Sequence, residues 1–276
     1  MLNELIQKDL IEQGRKFTMG YRLDDPYNEE FESDQDRKLP QPPLTKAPMR
    51  PTAIDLPMDF EGLTSANLTD ILLARKSNRV FTQESISLRQ LSYLLWATQG
   101  IKDIRGKAYA TIRTVPCGGA RHQFETYLMV RNVEGLEPGA YHYLPMGHKL
   151  EFLYPVADLD QMISETLCEQ HWAAKASVVF YWSMVPYRAE WRYGIYAHRV
   201  AMMDIGHVGE NLYLAATALG LGTCGIGAFQ HELCCRLFGL DGKEEYIVYT
   251  SPVGTVRAAD LDQEKSFYKF VEDEGL

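Results

Sequence analysis

Hydrophobic and polar positions change their period along the chain, and each period predicts a different element. Leu2 to Arg15 places its apolar residues on one side of a short helix. Seven of the 13 prolines then fall between Pro26 and Pro57, among many acids, which predicts an extended arm and not a packed element. Helical spacing returns with Asn67 placed to cap a helix through Ala74. Ser87 is placed to cap LRQLSYLLWATQG, which stops at Gly100. Strand patterns follow. TYLMVRNVEG, GAYHYLP and HKLEFLYP read as three strands turning at Gly135 and Gly147, and ASVVFYWSMV as a further buried one. From Glu190 to Leu219 the helical period shows two faces, with Ile205, Val208, Leu212, Ala215 and Leu219 on one and Tyr193, Tyr196, Val200 and Met203 on the other. An unbroken helix there would extend about 45 Å, longer than a domain of this size is wide, which predicts a crossing into a partner subunit. Gly206 and Gly209 inside it cost about 1 kcal/mol each against alanine, which predicts close approach of a backbone or a flat ligand. EYIVYTSPVG supplies a last strand. Helices and strands mix without βαβ alternation, so the fold class is α+β.

A length of 276 residues allows one sizeable core with an appendage, divided here into an arm over residues 1–62 and a main domain over 63–276. The net charge of -9 argues against nucleic-acid and membrane-surface partners, which need a basic footprint. The first residues carry acids among apolar positions and lack a signal peptide's core, and no run approaches a transmembrane span. Five cysteines without a paired CxxC fit reduced thiols, so the cytoplasm is the expected location. No metal site is expected: His198 and His207 lie half a helical turn out of alignment, and HExxH does not occur.

Three segments could carry chemistry. Arg75, Lys76, Ser77 and Arg79 lie within one turn-sized stretch and supply the forked donors, point charge and hydroxyl that a phosphate dianion needs. A solvated basic helix end would look the same. Pro116, Cys117, Gly118 and Gly119 form a compact loop of small residues that could approach a planar ring, or an ordinary turn before a strand. In ALGLGTCGIGAF, Gly220, Gly222 and Gly225 match G-x-G-x-x-G, but the phrase follows a helix where a Rossmann fingerprint follows a strand. A glycine turn presenting Gly225, Ile226 and Gly227 to a ligand stays open.

Taken in order, these segments resemble the nitroreductase superfamily, and more closely its branch of SagB-type dehydrogenases and thiazole/oxazole oxidases. The resemblance runs from about Leu73 to Val256. It is carried by LLWATQG at Leu94–Gly100, RTVPCGGA at Arg113–Ala120, FETYLMVRNVEGLEPGAYHY at Phe124–Tyr143 and DIGHVGENLYLAATALGLGTCGIGAF at Asp204–Phe229. It implies a central mixed sheet flanked by helices and an intertwined homodimer. It also implies an FMN cofactor whose phosphate is held by Arg75, Lys76, Ser77 and Arg79, with Arg257 adding charge. The ring would meet Pro116, Cys117, Gly118 and Gly119 from the other subunit, and Gly225, Ile226 and Gly227. Two positions depart from the pattern. Cys117 stands where the family usually has serine, and Arg192-Tyr193 stands where azoline-oxidising members have Lys-Tyr. A guanidinium is a poor proton acceptor, which leaves Tyr193 as the candidate acid or base, or as a core tyrosine.

The reading that results is an FMN-dependent oxidoreductase exchanging hydride with a small organic substrate or with NAD(P)H as electron donor. Dehydrogenation of peptide azolines in natural-product maturation is the alternative. A non-catalytic flavoprotein module docking a modifying complex is a third.

Overall fold

The computed structural model describes residues 2–19, 32–64, 67–260 and 269. The start of the expected arm around Pro26, and most of the chain after Asp260, lie outside the described residues. In chain order the helices are α1 (Leu2–Thr18), α2 (Leu68–Ala74), α3 (Leu88–Gln99), α4 (Leu159–Thr166), α5 (Pro186–Tyr193), α6 (Ala197–Ala218) and α7 (His231–Leu237). The strands are β1 (Ile54–Asp55), β2 (Ile101–Arg105), β3 (Ala110–Arg113), β4 (Phe124–Val130), β5 (Gly139–Leu144), β6 (Lys149–Tyr154), β7 (Val178–Met184), β8 (Leu221–Thr223) and β9 (Tyr246–Thr255).

Local chemistry places the helix starts. The Asn67 side chain accepts from the Asp70 amide, and Ser87 and Gln90 form a reciprocal capping box. Seven strands form one sheet in the order β1-β6-β5-β4-β7-β9-β8, and β2 and β3 form a separate hairpin. The pairings between these strands are antiparallel, and isolated parallel bridges at Ser77–Thr223 and Ile86–Val133 make the whole mixed. Helices cover both faces. Leu128, Phe180 and Trp182 pack toward α3 and α6, while Tyr127, Met129 and Tyr181 pack toward α4 and α7. Strands β4 and β7 are therefore buried along their whole length, which is why they read as nearly continuous apolar runs. No helix among the described residues is long and apolar enough to cross a membrane.

The expected helix from Glu190 to Leu219 is interrupted. Gly194 adopts φ 48 and ψ -124, a left-handed conformation that ends α5, and one 3-10 turn precedes α6. Helix α6 alone spans about 33 Å, which one domain accommodates, so length does not argue for a partner. Of the two glycines within it, Gly209 faces the Tyr249 ring, whose nearest carbon would lie 2.8 Å from an added Cβ. A side chain, not a backbone, makes the close approach. Gly206 has nothing within 4 Å.

The described part of the proline-rich segment forms no helix and, apart from a turn near Ser33–Lys38 and short β1, no regular element, but the expectation that it is not packed is overturned: it is docked. Its amides donate into buried carboxylates: Lys46 N to Glu125 Oε1 at 2.8 Å, and Arg50 N to Glu151 Oε2 at 2.7 Å. Lys46 Nζ meets Tyr127 at 2.7 Å and Glu245 at 2.5 Å. Arg113 donates to the Leu44 carbonyl and Trp191 Nε1 to that of Leu39. Beneath this segment Glu125 pairs with Arg188 at 2.5 Å, and His142 Nδ1 contacts Glu151 at 2.6 Å, all four side chains being almost fully buried.

Burial alone would raise the Glu125 and Glu151 pKa values. Arg188 and His142 beside Glu125, and His142 with the arm amides beside Glu151, overcome it and hold both carboxyls low. Burial pushes His142 down, but the two carboxylates win and raise it. The carboxylates therefore contribute stability that is complete above the ordinary value of 4.5 and is lost as pH falls through their lower folded values. The contribution of His142 is complete below 6.5 and is lost as pH rises through its raised value. Thermal unfolding across pH should show both flanks. Glu125→Gln, which leaves Arg188 buried without its partner, should cost about 3–5 kcal/mol in urea denaturation. A loss below 1 kcal/mol would mean that the pair is not buried in solution.

Candidate active site

The residues singled out in the sequence gather at two places, one on each side of α6. At the first, the chain leaves α2 at Arg75 and runs beside β8, where Ser77 bridges Thr223 and Asn78 N donates to Thr223 O at 2.9 Å. This register brings the basic segment against the glycine turn. Tyr213 joins them: its hydroxyl accepts from Gly225 N at 2.7 Å and lies 3.0 Å from Ser77 Oγ. The Arg75 guanidinium sits 5.4 Å above the Tyr213 ring. Arg79 lies over Trp172, and Lys76 is exposed. Among the described residues no carboxylate pairs with Arg75 or Lys76. Arg75 and Lys76, with no carboxylate partner among the described residues, fit an anionic ligand.

Within the turn, a Cβ on Gly225 would overlap the Tyr249 hydroxyl, so only glycine fits. Gly227 is open, with nothing within 4 Å of such an atom. Ile226 is core: its side chain is buried, and its amide and carbonyl both bond to Thr250. Arg257 is exposed and leans toward Glu84 and Asp260, each at 3.8 Å. The phrase runs from helix through Gly220 into β8, the reverse of a dinucleotide fingerprint.

At the second place, the Pro116–Gly119 loop rests on the start of α6. Asp204, buried among apolar neighbours, takes three donors: Gly118 N at 3.0 Å, Cys117 Sγ at 3.2 Å and Gln123 Nε2 at 3.0 Å. Burial, then the Asp204 charge, pushes the Cys117 thiol up to about 12, so it stays protonated and donates. Arg121 ties the loop from the other side, donating to Gly119 O at 2.9 Å while stacking between Tyr109 and Trp191. Arg192 and Tyr193, on the last turn of α5, lie directly on the loop. A Cβ on Gly119, whose φ is +56, would fall 2.5 Å from Arg192 Nε and 2.8 Å from the Tyr193 hydroxyl. Arg192 donates to Tyr109 at 2.9 Å and to Gln35 of the arm at 3.1 Å. The Tyr193 hydroxyl has no hydrogen-bond partner among the described residues.

Asp204 and Tyr213 are nine residues apart, about 13 Å along the helix and half a turn around it. One chain therefore presents the basic cradle and the small-residue loop in opposite directions. Sequence reasoning missed both residues. An acid on the buried stripe beside Ala201, Ile205 and Val208 was the available signal for Asp204. A separate cavity of about 670 Å³ lies between Pro42–Pro48 and the Leu144–Met146 turn, and contains none of the cradle or loop residues.

A model of the nitroreductase family matches residues 72–255. A Methanocaldococcus jannaschii protein described as a nitroreductase is 35% identical over 205 residues, covering 73% of this chain and 95% of its own. The microcin B17-processing protein McbC of Escherichia coli is 30% identical over 122 residues, 40% of this chain and 42% of that protein. A Ralstonia eutropha structure described as a nitroreductase superposes with a TM-score of 0.62 at 23% identity, over 80% of this chain and 95% of that one.

The clamp on the loop is open to test. Asp204→Asn leaves one good acceptor for three donors and should lower stability by about 1–3 kcal/mol in urea denaturation. In the folded wild type, iodoacetamide should label exposed Cys168 and spare Cys117, read by peptide mass spectrometry. Equal labelling of the two would show that Asp204 does not hold the thiol.

Proposed function

The chain belongs to the nitroreductase family, in its SagB-like branch, and from that premise we propose an FMN-dependent oxidoreductase whose active sites are completed across a homodimer. The carrying observation is the meeting of Arg75, Ser77 and the Gly225 turn in one cradle, with the Pro116–Gly119 loop facing away on the other side of α6. A ligand with a phosphate at one end and a planar ring at the other fits that supply if the loop comes from a second copy. Exposed Leu68, Leu72 and Leu73 on α2, with Met202 and Met203 on α6, offer an apolar surface for that copy.

In this reading Arg75, Lys76, Ser77 and Arg79 would hold the phosphate, Arg75, Ser77 and Arg79 through directed donors and the exposed Lys76 as a point charge. Arg257 adds charge only by leaving its exposed pairs with Glu84 and Asp260. The backbone at Gly225 and Gly227, and the partner's copy of the 116–119 loop, face the ring. When bound, FMN supplies hydride exchange between a donor, with NAD(P)H as the candidate, and a small organic acceptor. Arg192, permanently charged and steadied by Tyr109 and Gln35, orients a substrate and does not take its proton. Tyr193, its hydroxyl unpaired beside Gly118 and Gly119, holds or releases the proton. Residues 63–276 form the FMN-binding domain and residues 1–62 the arm that steadies it, and the free thiols suit a cytoplasmic location.

A second reading, oxidation of a peptide-borne azoline, is favoured by the likeness to McbC and by the position of Tyr193 on the loop. In either reading the purified protein should carry FMN near one per subunit, identified chromatographically after heat release, and should sediment as a dimer. Arg75→Ala should weaken FMN binding by about 1.5–3 kcal/mol. FAD in place of FMN, or no flavin after reconstitution, would defeat the proposal. Tyr193→Phe should lower turnover roughly 100-fold with FMN affinity unchanged if the hydroxyl moves a proton. Full activity in that variant would return Tyr193 to a packing role. Bound flavin with no turnover on nicotinamide, nitro, quinone or azoline substrates would leave the silent flavoprotein module.

A further inference from the structure

Tyr213 has one proton to give and stands between two groups that need different things from it. The Gly225 amide can only donate, and it donates to the Tyr213 oxygen at 2.7 Å. The phenolic proton must then go elsewhere. Among the described residues the one acceptor within reach is Ser77 Oγ, at 3.0 Å. With its oxygen accepting from Tyr213, Ser77 keeps its own proton for a third group, and no described residue takes it. The Tyr213 ring meanwhile supports the Arg75 guanidinium at 5.4 Å. One side chain thus orders a donor chain, from Gly225 N–H through the phenol to the Ser77 hydroxyl, that ends in a donor beside a steadied cation.

Resting on the flavin reading above, we infer that Tyr213 is the positioning residue of the cradle, making Ser77 an outward donor and so selecting a phosphate monoester over a neutral ligand end. The residue does not itself touch the phosphate. Its hydroxyl sets the direction of the Ser77 hydrogen bond, and its ring sets the place of Arg75. Phenylalanine at this position keeps the ring and removes only the direction. The Gly225 amide would lose its acceptor, and Ser77 could turn its proton inward or outward with equal ease.

The test compares two flavins that differ only in the phosphate. FMN and riboflavin are titrated by fluorescence quenching into the full-length protein freed of endogenous flavin. Tyr213→Phe should raise the FMN dissociation constant about tenfold while riboflavin changes by less than about twofold. Ser77→Ala should show the same loss, and the double variant should be no weaker than either single one, because the two hydroxyls act in series. Equal weakening of both flavins by Tyr213→Phe would assign the residue to folding and overturn the inference. So would an unchanged preference for FMN over riboflavin. Wild-type protein that binds neither flavin would sink the cofactor reading itself, a result that the variant titrations cannot imitate.

Discussion

Each residue of helix α6 advances about 1.5 Å and turns about 100°, so Asp204 and Tyr213 are bound to point in opposite directions. The rest of the site is arranged around that constraint. The carboxylate organises a loop of small residues near the start of the helix, and the phenol organises a basic cradle near its end. Asp204 lies at the edge of the buried stripe that Ala201, Ile205 and Val208 build against the sheet, whereas Tyr213 lies half a turn away from it. A chain built this way presents the cradle and the loop on different sides of one helix.

The second organising feature is electrostatic and lies away from the cradle. Glu125, His142, Glu151 and Arg188 are withdrawn from water between the sheet and the arm, and the arm's own amides donate to both carboxylates. Buried charge of this kind is a weak source of net stability, yet one missing partner leaves a costly orphan. The arm is in that sense part of the core's wiring. It also reaches the loop side of the site, since Gln35 accepts from Arg192 and the Leu39 carbonyl accepts a hydrogen bond from the Trp191 indole N–H.

Much of this architecture was legible in the residues, and the failures have physical causes. Caps at Asn67 and Ser87, turns at Gly135 and Gly147, and the buried runs of β4 and β7 follow from short-range rules that tertiary packing did not override. The break at Gly194 was hidden because apolar residues keep a helical spacing across it, from Tyr193 through Tyr196 to Val200, although Gly194 itself has φ 48 and ψ -124. Prolines announced extended chain but could not say where it docks. The acids inside the strand phrases FETYLMV and KLEFLY were the unread half of that message, since a carboxylate in a buried strand needs donors brought from elsewhere. Ile226 was counted with the glycine turn because its neighbours are glycines, whereas its own side chain is core. Tyr213 left no trace in periodicity at all. Its partners lie 12 and 136 residues away, and only the fold brings them together.

The docking of the arm also bears on the order in which the molecule can be built. Lys46 closes onto Glu245 across 199 residues of chain, and Lys46 N onto Glu125 across 79. A segment translated early therefore has no finished landing place until β9 is about to form. Until then Lys46 Nζ lacks its Glu245 partner, and the prolines of the segment resist both helix formation and strand pairing. The arm's docking is complete only when Glu245 is in place. The composition that makes it look featureless is what keeps it out of trouble until then.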